Sequence, residues 1–212
     1  MNLVATSSQR TFDPLPCLFA ARALRDFGDS FVAILLPAYL LALGFTPLAV
    51  GVLATASLLV SACLTLGAGW LGARCGHRRL LLLAAGLMVA SGLAFAAFRD
   101  YAVLLVVAFV GTINPSAGNV SVFVPLEHAA LAREAGDQNR TRMFARYSLA
   151  GALAAALGSL IAGAPELTAP LGVNRLTAMR AMFVLYALLG VVGRYLYTRL
   201  PRHAVDGKVA RT

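Results

Sequence analysis

Four charged side chains, Arg22, Arg25, Asp26 and Asp29, stand at i, i+3, i+4 and i+7 in a stretch that soon becomes wholly apolar. At 100° per residue this spacing puts all four on one face of a helix. Opposite charges so placed can pair, and a carboxylate held in an apolar surrounding can take up and release a proton or ion. Asp29 is the deepest, roughly 16 Å from a helix start at Leu18 at 1.5 Å rise per residue. Proton or ion coupling at Asp29, with Asp26 and Arg25 beside it, is one reading of the stripe. A satisfied ion pair with Arg22, Arg25 or a neighbouring helix is the other, and residue types leave both open.

A second group sits in the apolar run from Tyr101 to Val124, which Gly111, Pro115 and Gly118 interrupt. Proline removes a backbone donor and frees a carbonyl in the middle of the run. Asn114, Asn119 and Ser121 add hydrogen-bonding groups there. Asn114, Pro115, Asn119 and Ser121 therefore fit a substrate path along an interrupted helix. They fit equally a kink that only shapes a bundle.

Other chemistries find little support. Cys17, Cys63 and Cys75 are odd in number and scattered, so they read as free thiols. Cys75 and His77 offer at most two metal ligands, and no metal or cofactor is expected. Gly67 to Gly72 matches G-x-G-x-x-G, but no strand precedes it and no acid follows at the required distance. There is no H-E-x-x-H and no nucleophile–base pair, so the chain does not read as an enzyme.

The elements that must carry these groups follow from composition. Of 212 residues 59% are hydrophobic and 13% charged, outside the range of soluble domains. A membrane span needs about 20 apolar residues. Ser30 to Ala73 lacks charge throughout and is read as two spans joined at Gly44-Phe45-Thr46-Pro47. The remaining runs give four more, centred on Leu80–Phe98, Tyr101–Val124, Phe144–Gly163 and Thr177–Tyr197, the last with Arg180 and Arg194 snorkelling at its ends. The expectation is an all-α integral membrane protein, a bundle of six transmembrane helices over residues 17–199 with tails at 1–16 and 200–212. Ser57, Ser61, Thr65 and Gly69, and again Gly151, Ala155, Ser159 and Gly163, recur at i+4 and predict close-packing faces. With cytoplasmic N and C termini, fifteen of the eighteen basic residues fall inside, so the net charge of +9 is a topology signal. It points to membrane lipid headgroups as neighbours and to no nucleic acid. The N-terminus lacks the pattern of a cleaved signal peptide.

The basic turn between the second and third spans, Gly69-Trp70-Leu71-Gly72-Ala73-Arg74-Cys75-Gly76-His77-Arg78-Arg79, resembles the loop between helices two and three of the major facilitator superfamily, roughly G-x-L-x-D-R-x-G-R-R. Gly69, Leu71, Arg74, Gly76 and Arg78 fit, and Ala73 stands where the family usually has an Asp. The resemblance extends over Leu18 to Arg199 as the N-terminal half of a bacterial transporter. It implies a cytoplasmic gating role for Gly69, Arg74, Gly76, Arg78 and Arg79, with Glu127 at the same membrane face as a charge partner or a solvated helix end. It further implies a half-size secondary transporter of a small-molecule substrate in the bacterial inner membrane. Such a half would need a homodimer or a separate C-terminal half to enclose a cavity. The alternative is a non-transporting interaction subunit or a truncated relic of a full-length transporter.

Overall fold

The computed structural model describes residues 14–75, 77–110, 140–168, 170 and 172–199. They form α1 (Pro14–Ala42), α2 (Pro47–Cys75), α3 (His77–Ala97), α4 (Tyr101–Val110), α5 (Arg140–Ile161), the single turn α6 (Ala164–Leu167) and α7 (Arg175–Arg199). The described residues are all-helical and contain no strand.

The turns follow from local chemistry. At the end of α1 the Gly44 N–H donates to Leu41 O and the Phe45 N–H to Leu40 O, at 3.0 and 3.2 Å. Gly44 takes φ +92°, the left-handed conformation that this helix stop demands and that glycine adopts without strain. Thr46 then caps α2, its Oγ1 accepting from the Ala49 N–H at 3.3 Å, with Pro47 at the first helical position. Asp100 opens α4 by accepting from the Val103 N–H at 3.2 Å, and Asn174 opens α7 by accepting from the Leu176 N–H at 2.9 Å.

α3, residues 141–167 and α7 are long and apolar enough to cross a membrane. α1 has ample length, 29 residues, but its charged stripe interrupts the apolar run. α7 is the hub: it packs along α3 on one side and α1 on the other, while α5 lies on the opposite flank of α1. α2 and α4 pair with each other and touch α3. The core between α1, α3 and α7 holds Phe31, Leu35, Tyr39, Phe95, Phe183 and Tyr186, all buried. Large apolar side chains also cover the outside, among them Leu59, Leu66, Leu157 and Leu160. Such a surface suits hydrocarbon, where helices satisfy their backbone groups internally.

One expectation needs correction. On α5, Gly151 is buried but Ser159 and Gly163 are exposed. The packed face runs instead through Tyr147, Gly151, Gly158 and Ala162, because a true helix repeats at 3.6 and a strict i+4 row drifts off the contact. Arg194 donates to Leu82 O at 2.7 Å, and Arg180 Nε donates to the Tyr39 hydroxyl at 3.4 Å. On α2 the i+4 row holds for Ser57 and Ser61, both buried below Leu53.

Candidate functional site

Among the described residues, the stripe on α1 is the most polar part of the buried interior. Arg25, Asp26 and Asp29 are each 4% exposed, and the neighbouring Ser30 is 1% exposed. The helical spacing puts them on one face, and α5 and α7 close over that face. Asp26 is the anion for both arginines: Arg22 Nε meets its Oδ2 in a close ion pair, and Arg25 lies 3.4 Å from its Oδ1. The guanidinium of Arg22 also covers the Tyr147 ring of α5, 5.1 Å from its centroid. Phe19 meets the same ring edge-on at 5.5 Å.

α5 reaches this cluster because it presents glycine. A Cβ on Gly151 would collide with Asp26 Oδ2 and Arg22 Nε, and one on Gly158 would collide with the Phe27 carbonyl. These two positions, seven residues apart, let the α5 backbone ride directly on α1.

Asp29 is treated differently. The Tyr186 hydroxyl of α7 donates to its Oδ1 at 2.8 Å, and among the described residues no cation lies within salt-bridge distance of it. Arg25, one turn away, is drawn instead to Asp26 and to the Tyr197 hydroxyl, to which its NH1 donates at 3.4 Å. Phe31 packs edge-on against Tyr186 at 6.3 Å. α1 thus carries two kinds of site in adjacent turns, an ion-paired cluster and a lone carboxylate with a phenol donor.

Two tyrosines of α7 are functional candidates that sequence reasoning missed. Tyr186 lies in the middle of an apolar run, and a phenol there is the signal that could have found it, since a buried hydroxyl needs a partner. Tyr197 reads as an interfacial anchor beside Tyr195, but only Tyr195 is exposed, while Tyr197 is 2% exposed and engages Arg25. Tyr39 forms a third polar node, donating to Phe95 O at 2.9 Å and tying α1 to α3.

The basic turn is partly visible. Gly69 and Arg74 lie in the last turns of α2, and Arg78 and Arg79 in the first turn of α3. Arg78 donates to the Thr198 carbonyl at 2.7 Å, a cation on the C-terminal end of α7, and Arg79 is exposed. Gly76, Asn114, Pro115, Asn119, Ser121 and Glu127 lie outside the described residues. Gly67 to Gly72 is helical, so the dinucleotide-like spacing is no phosphate loop. The described residues include no cluster of metal-ligating side chains.

The Major Facilitator Superfamily profile matches residues 18–211, nearly the whole chain. The chain belongs to the Major Facilitator Superfamily. Members of this superfamily are transporters, not enzymes, and the chain is accordingly a multi-pass membrane protein. It is also 34% identical over 94 residues, 44% of its length, to an uncharacterized membrane protein of Saccharomyces cerevisiae. The matched stretch covers 21% of that relative, so the chain matches about one fifth of the length of this curated relative.

Proposed function

We propose that the chain is a six-helix half of a secondary active transporter for a small molecule, driven by an ion gradient, with Asp29 as the coupling carboxylate. The observation that carries this reading is the setting of Asp29: it is buried in the α1–α7 contact and held by the Tyr186 hydroxyl, while among the described residues the direct ion pairs of Arg22 and Arg25 go to Asp26. A buried carboxylate with no direct ion pair changes its local interactions when it gains or loses a positive charge. A two-state bundle can use that difference to bias its equilibrium.

The remaining parts of the proposal are topological. Both termini lie in the cytoplasm, which puts most of the arginines inside, and the membrane is the bacterial inner membrane. The path for substrate runs along Asn114, Pro115, Asn119 and Ser121. The basic turn, with Arg74, Arg78, Arg79 and Glu127, gates the cytoplasmic side. A second copy or a separate C-terminal half completes the cavity.

A non-transporting interaction subunit is the second reading, favoured by the leucine face of α5, where Leu149, Leu153, Leu157 and Leu160 are all exposed. The two readings part on one experiment. Proteoliposomes with an internal pH or sodium dye are screened with a panel of small molecules for substrate-induced ion flux, using the native chain and Asp29→Asn. Flux that disappears in Asp29→Asn while the variant stays folded is the expected result. Flux that survives the substitution removes Asp29 from the coupling step, and no flux in either favours the interaction subunit.

A further inference from the structure

At the end of the bundle opposite the basic turn, Arg180 stands in the second turn of α7, where the last turns of α1 and α3 meet it. Its side chain is half-buried. Nε donates to the Tyr39 hydroxyl over a long 3.4 Å, and Nη2 is fully buried with no acceptor. Tyr39 cannot neutralise the cation: the phenol gives its own proton to Phe95 O at 2.9 Å and offers Arg180 only a lone pair. A guanidinium N–H left in this state is costly and calls for a partner.

The acids among the described residues do not supply one. Asp26 is engaged by the arginines of α1, and Asp29 lies ten residues before Tyr39, roughly 15 Å along the same helix. Near Arg180 in the chain order of this end stand Asp100 and Glu166, and both are occupied. Asp100 accepts from the Val103 N–H at the start of α4, while Glu166 pairs with Arg175. Arg180 forms an ion pair with none of the four.

The walls around the guanidinium are fixed. Phe183, one turn further along α7, meets Tyr39 edge-on at 5.0 Å and stacks on Phe95 at 5.4 Å, and all three rings are buried. One turn before Phe95, α3 rides on the α7 backbone, where a Cβ on Gly92 would stand 2.8 Å from Phe183 O. The adjustable part is the head of Arg180 itself. Its single long bond is weak enough to let the fork turn toward its exposed side.

We propose that Arg180, oriented by Tyr39, is an oxyanion-binding site that takes one carboxylate or phosphate group at this end of the bundle. The planar fork of an arginine matches two oxygens of such a group, and a charge-assisted bond there satisfies the nitrogen that the chain leaves without an acceptor. The oxyanion has two sources, a small soluble molecule or the headgroup of a lipid. The assignment is independent of the coupling role of Asp29.

Thermal unfolding of the full chain in maltoside micelles, which carry neither carboxylate nor phosphate, tests the site. The chain is titrated at constant ionic strength with inorganic phosphate, with succinate and with short-chain phosphatidylglycerol. A ligand of the folded state raises the midpoint in a saturable way, and at least one of the three is expected to do so. Arg180→Gln is expected to weaken that affinity about tenfold or more, whereas Arg79→Gln, at the exposed basic turn, retains it. A response to phosphate or succinate identifies a soluble oxyanion; a response to the lipid alone identifies a headgroup. No saturable rise, or an equal rise in Arg180→Gln, overturns the site. If Arg180→Gln does not fold, phenylglyoxal labelling of the native chain, read by mass spectrometry, decides. The anion is expected to shield Arg180 and leave Arg79 reactive, and labelling of Arg180 that is unchanged by the anion overturns the proposal.

Discussion

At the scale of single residues, neighbouring charges on one helix face carry different energetic roles. Asp26 contacts both Arg22 and Arg25 in a buried setting, and removing it leaves two buried cations without their ion-pair partner. Asp26→Ala is expected to destabilise the bundle by about 3–5 kcal/mol, seen as a large drop in the thermal unfolding midpoint in nanodiscs. Tyr186→Phe removes one neutral donor and keeps the ring that packs on Phe31. Its cost is expected to be near 1 kcal/mol, the scale of side-chain hydrogen bonds within membranes. If Tyr186→Phe proves as damaging as Asp26→Ala, the phenol is part of the structural cluster and Asp29 is not the separate site described above.

At the scale of elements, the bundle depends on where helices touch backbone to backbone. α5 approaches α1 through Gly151 and Gly158, and any side chain at Gly158 runs into the Phe27 carbonyl. Gly158→Leu is expected to cost about 1–3 kcal/mol or more through overpacking, and to expose Asp26 and Arg22. Ser159→Leu, one residue on and exposed, should leave the unfolding midpoint unchanged. Comparing the two by thermal unfolding fixes the contact face of α5 directly, and equal damage from both would mean that the face is misassigned. α7 behaves as a brace of another kind: Arg78 reaches its last carbonyls from α3, and Arg194 reaches back to Leu82. A bond at each of these positions ties α3 to α7 at the basic end.

At the scale of the whole molecule, the question is what completes the cavity. The proposed six-helix half would have no partner of its own across a substrate path, and the outer surface of the described helices is covered with large apolar side chains. Mass photometry in lipid nanodiscs distinguishes the cases. A two-copy complex is the expected outcome for a self-sufficient half, with the two-fold axis along the membrane normal. A strict monomer points to a separate second half, and addition of that chain should then restore substrate-induced flux.

The amino-acid sequence by itself determined the membrane setting, the all-helical class and the family. Those depend on local quantities: apolar run length, turn chemistry such as Gly44-Phe45-Thr46-Pro47, and the basic turn ending at Arg79. It also put Arg22, Arg25, Asp26 and Asp29 on one face, because helical periodicity is a property of a single segment. Only the tertiary structure decided which of these charges pair and which stands apart, since that depends on Tyr186 and Tyr197, more than 150 residues away in the chain. It likewise decided that Gly158, not Ser159, meets α1. A small residue at either position is locally equivalent, and only the approach of a second backbone, close enough to exclude a Cβ, makes one of them indispensable.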